Sequence, residues 1–470
     1  MPALSSVDQA FLQLETAQRP MNVGALIVLK PTPGQRGRFA EQLVARMLKC
    51  PVGPPFNYRL KPGFVRPLLA LEEDDTIDPR AQLHPHSLGR GADLDRLFAR
   101  VCRIHTQLLP RDAPLWQTHV FSGLPGGRVA LYFKTHHGLI DGIGFLRIVT
   151  GIVGESAAER TPHAFWEGMR AARPDGSDAG PAPAAGSLLQ SLDEARRTAN
   201  DLVRLGWHQA LRSLGLGHGL APAFVGTPDV LKTPPSPNRV LAHCAVPLAE
   251  ARRIAARADA KVNDVMLAAI DVAMNRYLEE RGTPPDRPLV VDVPVALHDH
   301  GGTGNRITIL QAPMGRPGAK PAERLAQIVQ ETREMKREVR TLSGDSLMLY
   351  SVLEHSLAST IESLGLGELP MLANVVISNP AGLERRVYFN GAEVELALPV
   401  SVVAHHQVLN VTITTYVDEL LVTFFALREA LPDLSRLAGY TAEAIGQLAA
   451  GTKRRPRRPT TRPPRQRRAA

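Results

Sequence analysis

Residues 136–142 read His136-His137-Gly138-Leu139-Ile140-Asp141-Gly142: two adjacent imidazoles, then a carboxylate four positions after the second, with glycines on either side. A neutral imidazole, with an ordinary pKa near ~6.5, can take the proton from a hydroxyl as its oxygen attacks a carbonyl. The pattern therefore points to general-base acyl transfer, with His137 the expected base and His136 in a supporting role. Asp141 either orients His137 or holds the turn by bonding backbone amides or an arginine, and the structural role is the one assigned. Gly138 and Gly142 let backbone and substrate approach closely. A histidine pair in a loop is more often structural than catalytic, so the motif needs support from elsewhere in the chain.

Catalytic side chains need an element that delivers them. Val129-Ala130-Leu131-Tyr132-Phe133-Lys134 reads as a strand that ends at the histidines, and an apolar segment follows from Ile143. Strand ends facing a cleft are good places for chemistry. Helix-like and strand-like segments alternate from Ser5 to about Val153, a first lobe at 1–153. Residues 154–237 turn rich in Ala, Pro, Gly and Ser before a helix predicted over 188–214, and read as a linker plus connecting helix. A C-terminal lobe is expected over 238–450, with a helix over 264–281 and strands over 289–297, 394–404, 410–416 and 419–427. The mixed order implies an α/β fold of sandwich lobes, and 470 residues at 44% hydrophobic can supply two cores.

The formal charge of +9 does not describe the folded body. Nine of the 55 Lys and Arg residues, from Lys453 to Arg468, lie in the tail at 451–470, leaving 46 against 46 acidic residues elsewhere. The tail reads as a disordered basic segment that could hold the protein peripherally on an anionic membrane or lipid inclusion. With a neutral body and no recognition motif, no nucleic-acid partner is expected. Cys50, Cys102 and Cys244 lie far apart without metal-ligand spacing, so neither a metal nor a disulfide is expected and the cytoplasm is the simplest compartment. The first residues carry Asp8 and Glu15 with no basic leader region. No run approaches the ~18 apolar residues of a membrane span, so any membrane contact should be peripheral.

Several further motifs share a fixed order along the chain: Leu4-Ser5-Ser6-Val7-Asp8 with Phe11 and Leu14-Glu15-Thr16; Pro20-Met21-Asn22-Val23-Gly24; Pro114-Leu115-Trp116; the double histidine; Val262-Asn263-Asp264-Val265; Pro294-Val295 with Gly304-Asn305; Ser378-Asn379 with Gly382; Gly391-Ala392; Leu409-Asn410; and Pro432-Asp433. In these, from near the first residue to about Tyr440, the chain resembles the bacterial bifunctional wax ester synthase/acyl-CoA:diacylglycerol acyltransferases. That resemblance implies two chloramphenicol-acetyltransferase-like lobes around a tunnel, where acyl-CoA meets diacylglycerol or a long-chain alcohol. It implies that the second histidine, His137, is the base, that acyl-CoA is a co-substrate, and that no cofactor is needed. Consistently, the chain has no Gly-x-Ser-x-Gly elbow and no cysteine in a recognisable nucleophile motif.

The resemblance also nominates Asn263, Asp264, Ser378, Asn379 and Gly382 as substrate-binding residues. Asn263 stands where the helix over 264–281 needs an N-cap, and capping is the role we assign it. Trp116 and Pro114 read as packing residues. The chain departs from the family at three places. Its Ser-Asn-Val-Pro-Gly-Pro loop reads Ser378-Asn379-Pro380-Ala381-Gly382-Leu383, so a proline has moved and reshapes the loop. His298 replaces an arginine, and Asn22 a common histidine. His405-His406 is treated as structural, because no carboxylate follows at ligand spacing. Two other readings stand: a condensation-type transferase fed by a carrier protein, which would lack the Leu-Glu-Thr and Pro-Met-x-Val-Gly segments, and a non-catalytic lipid-binding protein, against which the intact His137 argues.

Overall fold

The strand expected over 129–134 forms and runs two residues further, so that it carries the first histidine itself. Every residue of it is buried, because it is central in its sheet with packing on both faces. The computed structural model describes residues 4, 6–35, 37–61, 69–89, 91–140, 142–159, 161–168, 188–213, 231, 233–297, 306–364, 373, 375–380, 382–403 and 407–452.

In chain order the first half contains α1 (Ser6–Leu14), β1 (Asn22–Lys30), α2 (Phe39–Met47), β2 (Tyr58–Leu60), β3 (Leu71–Glu73), β4 (Leu83–Ser87), α3 (Leu94–Thr106), β5 (Trp116–Ser122), β6 (Val129–His136), α4 (Gly142–Ile152) and α5 (Leu188–Ser213). The second half contains β7 (Arg239–Pro247), α6 (Leu248–Ala258), α7 (Val262–Glu280), β8 (Val290–Leu297), β9 (Arg306–Pro313), α8 (Pro321–Val339), α9 (Gly344–Ser363), β10 (Val375–Ser378), β11 (Tyr388–Phe389), β12 (Ala392–Val400), β13 (Leu409–Tyr416), β14 (Glu419–Leu427) and α10 (Leu434–Gly451).

Two six-stranded mixed sheets organise these elements, in the orders β11-β12-β1-β6-β5-β4 and β7-β14-β13-β10-β8-β9; β2 and β3 form a separate ribbon. In the first sheet β6 lies antiparallel between β1 and β5, with Asn22 opposite His136 and Trp116 opposite Thr135. The period of two splits β1 and β6 between two cores. Ile27, Leu29, Leu131 and Phe133 face one that includes Phe39, Trp116, Phe165 and Trp166. Leu26, Val28 and Tyr132 face another that is continuous with the second lobe.

Sheet membership departs from chain order. Residues assigned from sequence to the C-terminal lobe complete the first sheet, because β12 pairs antiparallel with β1 from Gly24↔Val400 to Lys30↔Glu393. Alternation marks 392–400 as a strand but carries no information about its partner; the open edge of β1 supplied one. Helix α3 also joins the lobes, with Phe98 against His243 at 5.6 Å and His105 against Phe425 at 4.8 Å between ring centroids. The helix predicted over 188–214 is α5, which lies along the second lobe through Arg212–Glu331 and His208–Glu338 at 3.0 Å.

Candidate active site

Two of the sequence motifs turn out to clamp the histidine loop by its backbone. As β6 ends, His136 N donates to Leu115 O at 3.0 Å and Thr135 Oγ1 to the same carbonyl at 3.0 Å; His137 N then donates to Met21 O at 2.8 Å. Leu115 and Met21 belong to the Pro-Leu-Trp and Pro-Met-Asn segments, so those segments act through carbonyls that hold the turn. Trp116 is buried, donates from Nε1 to Phe56 O at 2.8 Å and stacks on Trp166, a packing role.

The two histidines have different surroundings. His136 is fully buried; its Nδ1 accepts from Gly138 N at 3.0 Å, and its Nε2 lies 3.5 Å from Glu15 Oε1. A ring nitrogen that accepts an amide proton carries none of its own, so the proton of a neutral His136 sits on Nε2, facing the carboxylate. Nδ1 is committed to an amide and Nε2 is turned toward a carboxylate in a place closed to solvent, so His136 is a poor base. His137 is half-buried, with its ring stacked on Phe11 at 4.0 Å and 24°. Gly138 is required here: a Cβ would lie 2.7 Å from Asp8 O, so only glycine lets α1 lie against the loop.

Glu15, to which sequence reading gave no role, organises this end of the site. Its Oε1 accepts from Met21 N at 3.0 Å and its Oε2 pairs with Arg111 Nη2 at 2.5 Å, with the side chain only 2% exposed. Burial opposes the charge, but the neighbouring His136 N–H, the Met21 amide and the Arg111 guanidinium outweigh it and hold the carboxyl below its ordinary range. Its only sequence signal was a place in Leu14-Glu15-Thr16.

Lys134, on the same face of β6 as His136, is also fully buried, and Nζ donates to Ile104 O at 2.9 Å and Gln107 O at 2.5 Å. Burial pulls its pKa down to about 7, against the attraction of Glu15. Asn22 Nδ2 donates to His105 O at 2.8 Å and Gln107 O at 3.1 Å. Lys134 and Asn22 together satisfy the orphan carbonyls at the end of α3 and lock that helix to the strands flanking the histidines.

The residues nominated in the second lobe separate by role. The N-cap of α7 is Lys261, not Asn263; Asn263 lies inside the first turn and its Oδ1 accepts from Asn379 Nδ2 at 3.2 Å. The capping is done from within the helix by Asp264, whose Oδ2 accepts from Lys261 N at 2.8 Å and whose Oδ1 accepts from Thr332 Oγ1 at 2.9 Å. Buried at 3% exposure, Asp264 is a structural residue here, because a carboxylate at the third helical position can reach back to the cap amide. Ser378 Oγ donates to Thr412 Oγ1 at 3.2 Å. Gly382 passes so close to β13 that a Cβ would lie 2.0 Å from Thr415 O, and Leu383 N bonds that carbonyl at 2.8 Å. Asn263, Asn379 and Ser378 thus gather at the ends of α7 and β10, while Asp264 turns inward. Gly142 opens α4; Asp141, His298, Gly304-Asn305, His405-His406 and the tail from 453 lie outside the described residues. Among the described residues no cluster of three or more His, Cys, Asp or Glu is placed to hold a metal, and no helix is long and apolar enough to cross a membrane.

The wax ester synthase/diacylglycerol acyltransferase catalytic-domain family matches residues 4–266, and the WS/DGAT C-terminal domain family matches 303–449. The chain belongs to this family. A Mycobacterium tuberculosis protein named as a putative diacylglycerol O-acyltransferase is 32% identical over 95% of this chain and 97% of its own. The O-acyltransferase WSD of Acinetobacter baylyi is 29% identical over 95% and 96%. Among solved structures, the wax ester synthase/diacylglycerol acyltransferase of Marinobacter aquaeolei superposes with a TM-score of 0.72 at 25% identity, covering 96% of this chain and 100% of that one. A condensation domain of the CDA synthetase shares the fold, at TM-score 0.54 and 18% identity over 96% of both chains. As a WS/DGAT-family protein the chain is an O-acyltransferase of two α/β lobes, and its catalytic-domain match ends inside α7, past the histidine loop.

Proposed function

We propose that this protein moves a long-chain fatty acyl group from acyl-CoA to diacylglycerol, a long-chain alcohol or both, forming triacylglycerol or wax ester, with His137 as the general base. The observation that carries this reading is the contrast within the loop: His136 is fully buried, with Nδ1 accepting from Gly138 N and Nε2 turned to Glu15, whereas His137 is only half-buried at the end of the strand. His137 takes the hydroxyl proton as the alcohol oxygen attacks the thioester carbonyl. The tetrahedral intermediate collapses with cleavage of the C–S bond, and the imidazolium returns its proton to the departing thiolate. No acyl-enzyme and no cofactor is needed; acyl-CoA is consumed as a co-substrate. A general base contributes typically ~10² to 10⁴ in rate, and positioning and charge stabilisation supply the rest.

Release of coenzyme A from palmitoyl-CoA, with hexadecanol and separately with dioleoylglycerol, tests this in wild type and His137→Ala. Ester formation that falls about 10²-fold or more in the variant supports the assignment, and the lipid product names the preferred alcohol. A fully active His137→Ala sinks the mechanism, and a folded wild type inert with both alcohols sinks the substrate assignment. The same reading puts the protein in the cytoplasm, held peripherally by its basic tail on anionic membrane or lipid inclusions, each basic residue adding about 1 kcal/mol. Unchanged liposome binding at low salt after deletion of 453–470 would exclude that role for the tail.

A further inference from the structure

Large exposed hydrophobic side chains are not scattered over this protein. Among the described residues there are nine: Leu14 and Leu108 stand apart, and the other seven are Val203 and Trp207 on α5, Leu349, Val352, Leu353 and Leu357 on α9, and Leu364 just past its end. On α9 the spacing 349, 353, 357 runs down one side of the helix, and Ser356 and Thr360 complete the exposed strip. Thr360 donates its hydroxyl to Ser356 O at 2.8 Å, so even this polar group is turned back into the helix. No exposed, described side chain of α9 is charged.

The helix is partly inverted, since an ordinary surface helix hides its apolar stripe and shows its charges. Here the inward side holds Ser346, Tyr350, Ser351 and Glu354, all buried. They anchor the helix: Ser346 Oγ donates to Asp201 Oδ2 at 2.8 Å, Ile309 N donates to Ser351 Oγ at 3.3 Å, and Tyr350 Oη accepts from Gln209 Nε2. Asp201 meets Ser346 and Gln209 meets Tyr350, so α5 runs alongside α9 in the same direction, and α5 exposes Val203 and Trp207. Cations stand at the margin of the pair. Exposed Lys336, Arg337 and Arg340 end α8 and lead into α9, and exposed Arg204 reaches from α5 to Thr341 O at 2.9 Å.

We propose that the outer faces of α5 and α9 are a docking surface for an anionic phospholipid layer, with the apolar strip entering the acyl boundary and the marginal cations meeting the headgroups. An uncharged apolar helix face, a tryptophan at its side and Lys/Arg at its edge match the chemistry of a helix lying in the plane of a lipid interface. The proposal rests on the lipid-substrate reading only for its purpose: the alcohol acceptors above partition into such a layer, so an enzyme seated on it meets them there.

The test uses the full chain and reads binding without activity, so its failure is separable from failure of the acyltransferase assignment. The sequence has three tryptophans; Trp116 and Trp166 are fully buried, and Trp207 is 64% exposed. Vesicles of phosphatidylglycerol with brominated acyl chains should therefore quench Trp207 emission selectively, leaving the signal of Trp207→Phe unaffected. Leu353→Asp/Leu357→Asp should weaken vesicle partitioning about tenfold or more, and pure phosphatidylcholine should bind more weakly than phosphatidylglycerol. The milder Leu353→Ser/Leu357→Ser pair should shift binding the same way with an unchanged unfolding midpoint. Absence of quenching, binding that survives both double variants while deletion of 453–470 abolishes it, or a wild-type dimer that Leu353→Asp/Leu357→Asp turns into a monomer with unaltered lipid binding would each overturn the proposal.

Discussion

Glu15 Oε1 lies 3.5 Å from His136 Nε2 while the opposite ring nitrogen accepts the Gly138 amide, so the amide fixes the tautomer of the histidine next to the proposed base and a carboxylate from just past α1 faces its protonated nitrogen. The same carboxylate accepts from Met21 N, and Met21 O accepts from His137 N, which closes a circuit around the loop.

Glu15→Gln should therefore act through the loop. Losing charge-assisted hydrogen bonds of about 1.5–3 kcal/mol corresponds to roughly 10- to 100-fold. The fall should appear in kcat with KM nearly constant, because the groups affected do not bind substrate. Steady-state kinetics decide it, and an equal loss spread over KM would point to a binding role instead.

Gly138→Ala places a Cβ 2.7 Å from Asp8 O, which forces α1 off the histidine turn and separates Phe11 from His137. Overpacking of this kind costs typically ~1–3 kcal/mol. Ester formation should drop at least tenfold, with an unfolding midpoint only a few degrees lower; activity at the wild-type level would show that α1 does not need to sit there.

Asp264 and Asn263 are neighbours with opposite expectations. Asp264→Ala removes the cap acceptor of the Lys261 amide and the buried acceptor of the Thr332 hydroxyl, which keeps only Val329 O, and should cost about 1–2 kcal/mol of stability. Asn263→Ala, which loses one exposed contact to Asn379, should stay within about 0.5 kcal/mol. Urea unfolding of the two variants measures both values.

Acid should destabilise the protein through the histidines of β4, β5 and α3. His84, His86 and His119 are stacked on neighbouring strands, and His105 Nδ1 meets Tyr132 Oη at 2.5 Å. Burial lowers all four, His119 to about 2 with the neighbouring histidines and Lys134 adding to the effect. A histidine whose folded pKa lies below its unfolded ~6.5 binds fewer protons folded than unfolded, so stability falls as pH drops from about 6.5 toward 2. Glu354, pushed up to about 7 by burial, acts with the opposite sign between about 4.3 and 7, so the comparison must be differential. His119→Phe should remove about 1.4 kcal/mol per pH unit of this slope below pH 6.5. Identical slopes for variant and wild type in urea titrations at pH 7.0, 6.0 and 5.0 would refute the assignment.

Much of the architecture was legible because it rests on local patterning. The β6 alternation, the 3.6-residue period of α7 and the β-branched runs of β13 and β14 each fold where their own residues direct. Asn263 was misread because a cap is a matter of one residue: the helix begins at Val262, and the acid two positions on does the capping. The work of Glu15 and Lys134 was hidden because their partners lie 121 and 30 positions away or are backbone carbonyls, which every residue has.

The sequence by itself determined which histidine pair ends a buried strand, that two cores could form, and which family the motifs belong to, since these follow from residue types at short range. Tertiary structure alone decided that strands from 388–400 finish the first sheet, that His136 is buried between the Gly138 amide and Glu15, and that α9 turns its apolar side outward. Each of those depends on which of many chemically equivalent edges, carbonyls and faces meets another when the chain closes on itself, and that choice is made by long-range packing.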